Sequence, residues 1–147
     1  MINLKDIKAS INHMLKSNFD IPVKSQDIKK GFERPSFTVY FDNVKVETLY
    51  SQIETSLTVR IYYFTEVESV NGSIEILDMQ YQLPILFGNN LKVKDRVIHI
   101  SDVDSSVVDG VLMYEFKLLF EQFNEVNDPN KQALLMQELE TNLNESE

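Results

Sequence analysis

The sequence predicts an α+β fold, in which an antiparallel sheet carries helices on one face and a further helix follows at the C-terminus. Apolar residues near the start of the chain recur every three or four positions, which is typical of an amphipathic helix. Along two later stretches they alternate with polar residues, which is typical of strands. Because the strands come in runs joined by short turns, an antiparallel sheet is favoured over a parallel one.

Length and composition predict one domain. The chain has 147 residues, of which 43% are hydrophobic, enough for a core that buries roughly 70% of the surface exposed by the unfolded chain. We expect residues 1–127 to form this domain. Residues 128–147 are expected to form a C-terminal helix or arm with a frayed acidic end.

The first helix is predicted over residues 3–18. Asn3 is suited to cap its N-terminus. An extended piece over residues 22–28 is expected to follow. The apolar residues that define the helix are Leu4, Ile7, Ile11, Met14 and Leu15.

Two long strands are predicted next. The first starts at Ser36, and Asp42–Asn43 predicts a bulge within it. The second covers residues 54–66 and has the strongest β pattern in the chain. One face of the second strand consists of Thr55, Leu57, Val59, Ile61 and Tyr63, and the other of Ser56, Thr58, Arg60, Tyr62 and Phe64.

A second helix is predicted over residues 72–83. Ile74, Leu77 and Tyr81 return to helical spacing there, and Pro84 is expected to end or kink the helix.

A hairpin and a last helix complete the predicted fold. Residues 97–104 and 111–123 are expected to pair around Asp109–Gly110, which has the composition of a tight turn. Asp128–Pro129 predicts the start of a helix over residues 129–142. The apolar face of the hairpin consists of Leu112, Tyr114, Phe116, Leu118 and Phe120.

The net charge of -9 argues against a protein that grips nucleic acid, because phosphate binding needs clustered Lys and Arg. The absence of cysteine excludes disulfides, thiolate metal sites and a cysteine nucleophile. No apolar run is long enough to predict a membrane span, and no signal peptide is predicted.

No catalytic, cofactor or metal site is predicted. Asp102–Ser106 resembles the first half of a calcium loop, but the glycine and the bidentate glutamate that such a loop needs are missing. His99 lies near these acids on a predicted strand, and His13 lacks a partner at metal-site spacing. We therefore expect a protein that works by binding.

Arg60, Tyr62 and Phe64 are the first candidates for a binding surface, because arginine and aromatic residues are enriched at interface centres. The alternative is that helices cover this face and the three side chains belong to the core. Leu135 and Leu139 on the last predicted helix pack either against their own domain or against a neighbouring subunit.

Several segments together resemble the tail terminator proteins of long-tailed phages, prophages and phage-tail-like bacteriocins. The resemblance covers about residues 1–125. It is carried by the first helix and extended piece, by Gly31-Phe32-Glu33-Arg34-Pro35-Ser36-Phe37, by the strand that ends in Arg60-Ile61-Tyr62-Tyr63-Phe64, and by the Asp109-Gly110-Val111-Leu112 hairpin.

The resemblance implies a hexameric ring on the head-proximal end of the tail tube, assembled in the bacterial host cytoplasm. Such a ring stops tube growth and offers a docking face to sheath, neck or head-completion proteins. Gly31, Phe32, Arg34 and Pro35 then form a shaped connector at a subunit or tube contact; alternatively, they only form a turn that starts a strand. The candidate acids for a DNA-repelling lumen are Glu66, Glu68, Asp102, Asp104 and Asp109.

Two other functions stay open at this point. A head–tail connector or neck protein shares the size and the ring symmetry of a terminator. A small acidic adaptor domain unrelated to virions would instead remain a monomer or dimer.

Overall fold

The structure, a computed structural model, describes residues 1–24, 34–66 and 72–124. It contains an antiparallel sheet with two helices on one face, as the sequence predicts. The elements in chain order are α1 (Leu4–Asn18), β1 (Ser36–Thr48), β2 (Gln52–Phe64), α2 (Gly72–Phe87), β3 (Asn90–Val93), β4 (Arg96–Val108) and β5 (Val111–Phe123). The predicted last helix, residues 129–142, lies outside the described residues.

The sheet has the strand order β1-β2-β5-β4-β3. Its central strands run side by side along their whole length, from Gln52 opposite Phe123 to Phe64 opposite Val111. The β4–β5 turn at Asp109–Gly110 has positive φ angles of 52° and 73°, the conformation that favours glycine and that matches the twist of a hairpin.

The predicted alternation within the strands is confirmed. The five residues assigned to one face of β2 are all buried, as are the five assigned to the apolar face of β5. This inner face meets the helices: Phe19, just after α1, packs on Phe37 with ring centroids 5.6 Å apart. Phe87 of α2 packs on Phe116 at 5.4 Å. The hydrophobic core therefore lies between the sheet and the two helices.

Helix α1 contacts strand β3 and lines a groove next to β1. Its Ser10 hydroxyl donates to the Lys92 carbonyl of β3 at 2.5 Å, while Lys8 and Asn12 lie beside β1. Asn3 caps the helix as predicted, accepting from the Asp6 amide at 2.9 Å. The side of α1 that faces the core is formed by Ile7, Ile11 and Leu15, which are fully buried.

Two β-bulges border the same row of the sheet. The row runs from Asp42 through Thr58 and Lys117 to Ser101. An extra residue follows it in β1, where the sequence predicts a bulge, and another follows it in β4. Because bulges bend strands and increase their twist, the sheet curves along this row.

One predicted boundary after β2 needs correction, and two features of this region were not predicted. Helix α2 does not end at Pro84 but continues to Phe87. Its buried residues are Ile76, Met79, Leu83 and Phe87, whereas Ile74, Leu77 and Tyr81, which defined the predicted helix, are exposed. Strand β3 was not predicted, because four residues are too short a stretch for a clear alternation.

Candidate assembly interface

Arg34 and Pro35 lie at the entry to β1. The Arg34 guanidinium lies over the ring of Phe64, 5.6 Å from its centroid, and donates to the Thr65 carbonyl at 3.3 Å. Arg34 therefore contacts the end of β2, the strand that carries the candidate interface residues Arg60, Tyr62 and Phe64. Gly31 and Phe32 are outside the described residues.

Arg60, Tyr62 and Phe64 occupy successive positions on the outer face of β2, the face that points away from both described helices. All three are half-buried. Neither α1 nor α2, the two helices that the structure describes, covers them. With Arg34 they form one continuous surface of arginine and aromatic side chains.

Arg60 is held by two carboxylates. Its Nε donates to Glu115 Oε2 at 3.0 Å, and its Nη1 contacts Asp42 Oδ2. The hydrogen bond to Glu115 raises the pKa of the guanidinium. Beside this group the rings of Tyr40 and Tyr62 meet edge to face at 5.4 Å. These two contacts fix the Arg60 side chain in place. A surface whose side chains are already fixed loses less conformational entropy when it binds a partner.

The candidate lumen acids fall into two places. Asp102 and Asp104 lie on β4 at its bulge, where Asp102 pairs with Lys117 at 3.5 Å. Glu66 and Asp109 instead line a groove of about 580 Å³ at the opposite end of the sheet, together with Arg34. Glu68 is outside the described residues.

A row of three glutamates was missed by the sequence analysis. Glu47 lies opposite Glu54, and Glu54 lies opposite Glu121, so the three occupy neighbouring positions on adjacent strands. They share the outer face with Glu115, Asp42 and Asp104. No signal in the sequence announces the row, because it exists only once the register of three strands is known.

The exposed side of α2 is the second feature that the sequence analysis missed. Its side chains form a row along the helix at spacings of three and four residues, and we call it the α2 stripe. The α2 stripe consists of Ile74, Leu77, Tyr81 and Ile85, whose exposed fractions are 62%, 65%, 73% and 64%. A helix that is apolar on both sides usually has a second packing partner.

Possible metal ligands are dispersed among the described residues. No three His, Cys, Asp or Glu side chains are grouped there as metal ligands. His13 and His99 are both exposed.

Within the described residues, no helix is long and apolar enough to cross a membrane. Leu135 and Leu139 cannot be placed, since they lie beyond residue 124.

Comparison with protein families matches residues 6–130 to the family described as phage tail terminator protein. One solved structure aligns with 84% of this chain and 97% of its own chain, at 15% sequence identity and a TM-score of 0.41. No curated protein matches the sequence.

Proposed function

This chain belongs to the phage tail terminator family, and from that membership we propose that it caps the head-proximal end of a tail tube as a hexameric ring. The family has a structural rather than an enzymatic role, in the phage tail and among other tail proteins. The ring ends tube growth and then offers its free side to the head or neck.

The observation that carries the proposal is the outer face of the sheet, which neither described helix covers. This face carries the surface of arginine and aromatic side chains around Arg60, and it also carries a group of carboxylates. Large surface patches of this composition are typical of proteins that work by association. We propose that the Arg34–Phe64 region belongs to a subunit or tube contact.

The acidic part of the same face is proposed to line the channel. Asp102, Asp104 and the row formed by Glu47, Glu54 and Glu121 lie on one side of the sheet. Six copies that turn this side inward would surround passing DNA with carboxylates, which repel its phosphates. This proposal replaces Glu66 and Asp109 as lumen candidates, because those two lie beside α2.

The assembled ring is proposed to sit in the virion tail or in a tail-like particle, after assembly in the bacterial host cytoplasm. Its partners are proposed to be the tail tube protein and, on the other side, sheath, neck or head-completion proteins. Neither specific nucleic-acid binding nor membrane binding is part of this function.

Electron microscopy of particles that lack the gene tests the proposal. A missing stop signal should give tubes well beyond the normal length, and supplying the native chain should restore that length. Tubes of normal length without heads would instead identify a neck protein. Complete, normal particles would contradict any tail function.

A further inference from the structure

We propose that neighbouring copies of this chain join head to tail, with the α2 stripe of one subunit seated in a groove between α1 and β1 of the next. This inference rests on the proposed ring, and it names the two surfaces that build it.

The α2 stripe is an apolar surface that folding of a single chain leaves open. Four large side chains are each almost two-thirds exposed or more, while the opposite side of the same helix is buried in the core. Water contact over such a row is unfavourable, and burying these side chains against another protein surface is favourable. The stripe is therefore suited to a second protein surface.

The groove between α1 and β1 offers both apolar and polar groups to a partner. It has a volume of about 630 Å³, and Val23, Val39 and Phe41 line its apolar part. Lys8 and Asn12 line its polar part. A partner that combines apolar side chains with acids is therefore suited to this groove.

The charges of the two surfaces are also complementary. Helix α2 contains Glu75 and Asp78 but no lysine or arginine. The exposed side of α1 carries Lys5, Lys8 and Lys16, and Lys8 lines the groove itself. The acid on α1, Asp6, already pairs with Lys94 at 3.2 Å. Opposite charges around an apolar centre fix the register of an interface and disfavour wrong partners.

The positions of the two surfaces suit a ring. The groove lies at the β1 edge, whereas α2 packs on β5 and borders the β4–β5 turn. Two different surfaces on one subunit give a heterologous contact, which closes into a ring when the rotation between subunits is right. A contact of α2 with itself would use one surface only and would end at a dimer.

Cysteine crosslinking can test this contact without background, because the chain has no cysteine. The double variant Leu77→Cys with Lys8→Cys would be treated with a short bis-maleimide, both as purified protein and in purified tails. We expect a ladder of covalent multimers on a denaturing gel. Each single variant should stay monomeric, and so should the control pair Leu77→Cys with Lys117→Cys, whose second cysteine lies on the outer face of the sheet.

Three results would overturn the proposal. One is a covalent dimer from Leu77→Cys alone, because it would show that α2 pairs with α2. Another is a link from Leu77→Cys to a different tail protein. The third is the lack of any ladder from the double variant in both protein and tails.

Tail length, scored in the same particles, keeps this inference separate from the proposed function. If the double variant gives a ladder, and tubes that carry complete rings still grow beyond the normal length, the subunit contact stands and the terminator role is contradicted. Normal tube length without a ladder would contradict the subunit contact alone.

Discussion

Arg60 is the residue for which the sequence leaves two settings open, an interface centre or a position under a helix. In the described part of the chain it lies between Glu115 and Asp42 on the sheet face that points away from α1 and α2. Its side chain is 29% exposed and that of Glu115 22%. The pair is thus partly shielded from solvent, which strengthens the attraction between its two charges.

Tyr114 is the residue for which the structure predicts a pH effect. Its side chain is fully buried, and its hydroxyl has no hydrogen-bond partner among the described residues. Burial raises the pKa of Tyr114 to about 12 from the ordinary value of 10.0. The folded protein therefore retains this proton at pH values where the unfolded chain loses it.

We expect Tyr114→Phe to leave stability at neutral pH unchanged or to raise it by up to about 1 kcal/mol, because an unpaired buried hydroxyl is removed. The free energy of unfolding of the native chain should fall between pH 10 and 12, since the unfolded state ionises first. In Tyr114→Phe this fall should be smaller. Urea unfolding over that pH range measures both, and Tyr81→Phe, an exposed tyrosine, is the control. An unchanged pH dependence in Tyr114→Phe would contradict the assignment.

Arg34→Ala should weaken assembly more than it weakens folding. Arg34 is exposed, and an exposed contact between a cation and a ring contributes only about 0.5 to 1 kcal/mol. Arg96→Ala is a matched control, because Arg96 lies over the ring of Phe120 at 5.5 Å in another part of the molecule. Thermal melting and ring formation on tubes would be compared. Equal losses of assembly in the two variants would remove Arg34 from the interface.

Among the elements, the long strands and helix α2 were predictable, whereas strand β3 and the side on which α2 packs were not. Alternation predicts a strand face correctly when one side is buried, as in β2 and β5. Helix α2 has apolar residues on both sides, so the spacing of Ile74, Leu77 and Tyr81 indicates a helix but not the side that packs. Only the tertiary structure distinguishes the buried row from the exposed one. Arg60, Tyr62 and Phe64 could be named as candidates from the residue pattern of one strand. The glutamate row could not, because it depends on how three strands pair.

The glutamate row across β1, β2 and β5 predicts a stabilising substitution. Glu54 lies between Glu47 and Glu121, and like charges directly opposite each other are unfavourable. Glu54→Gln should raise stability by roughly 0.2 to 1 kcal/mol at low salt, and the gain should shrink at high salt. Chemical denaturation at two salt concentrations measures it. Asp20→Asn, which removes an exposed acid outside the sheet, controls for net charge; an equal gain there would show that the row itself is not the cause.

For the whole molecule, charge is divided between surfaces rather than spread evenly. Among the described residues, the outer sheet face carries a group of carboxylates, whereas the exposed side of α1 carries lysines. The net charge of -9 therefore does not describe any one surface. A subunit with such separated surfaces can be attracted to its neighbours and still repel nucleic acid.

Leu77→Asp should separate folding from assembly. Leu77 is 65% exposed, and surface substitutions usually change stability by less than about 0.5 kcal/mol. The melting temperature should therefore stay close to that of the native chain, while the variant should fail to restore normal tube length. Val97→Asp, an equally exposed apolar position away from α2, should restore it. Failure of both variants, or of neither, would contradict a special role for the α2 stripe.

The two bulges on one row of the sheet divide its outer face into two parts that point in different directions. Arg60 and Phe64 lie in one part, and the three glutamates lie in the other. In the ring proposed above, subunits bent in this way would form a funnel rather than a straight cylinder. A funnel has one wide and one narrow opening, so the proposed ring would fit two components of different diameter at its two ends.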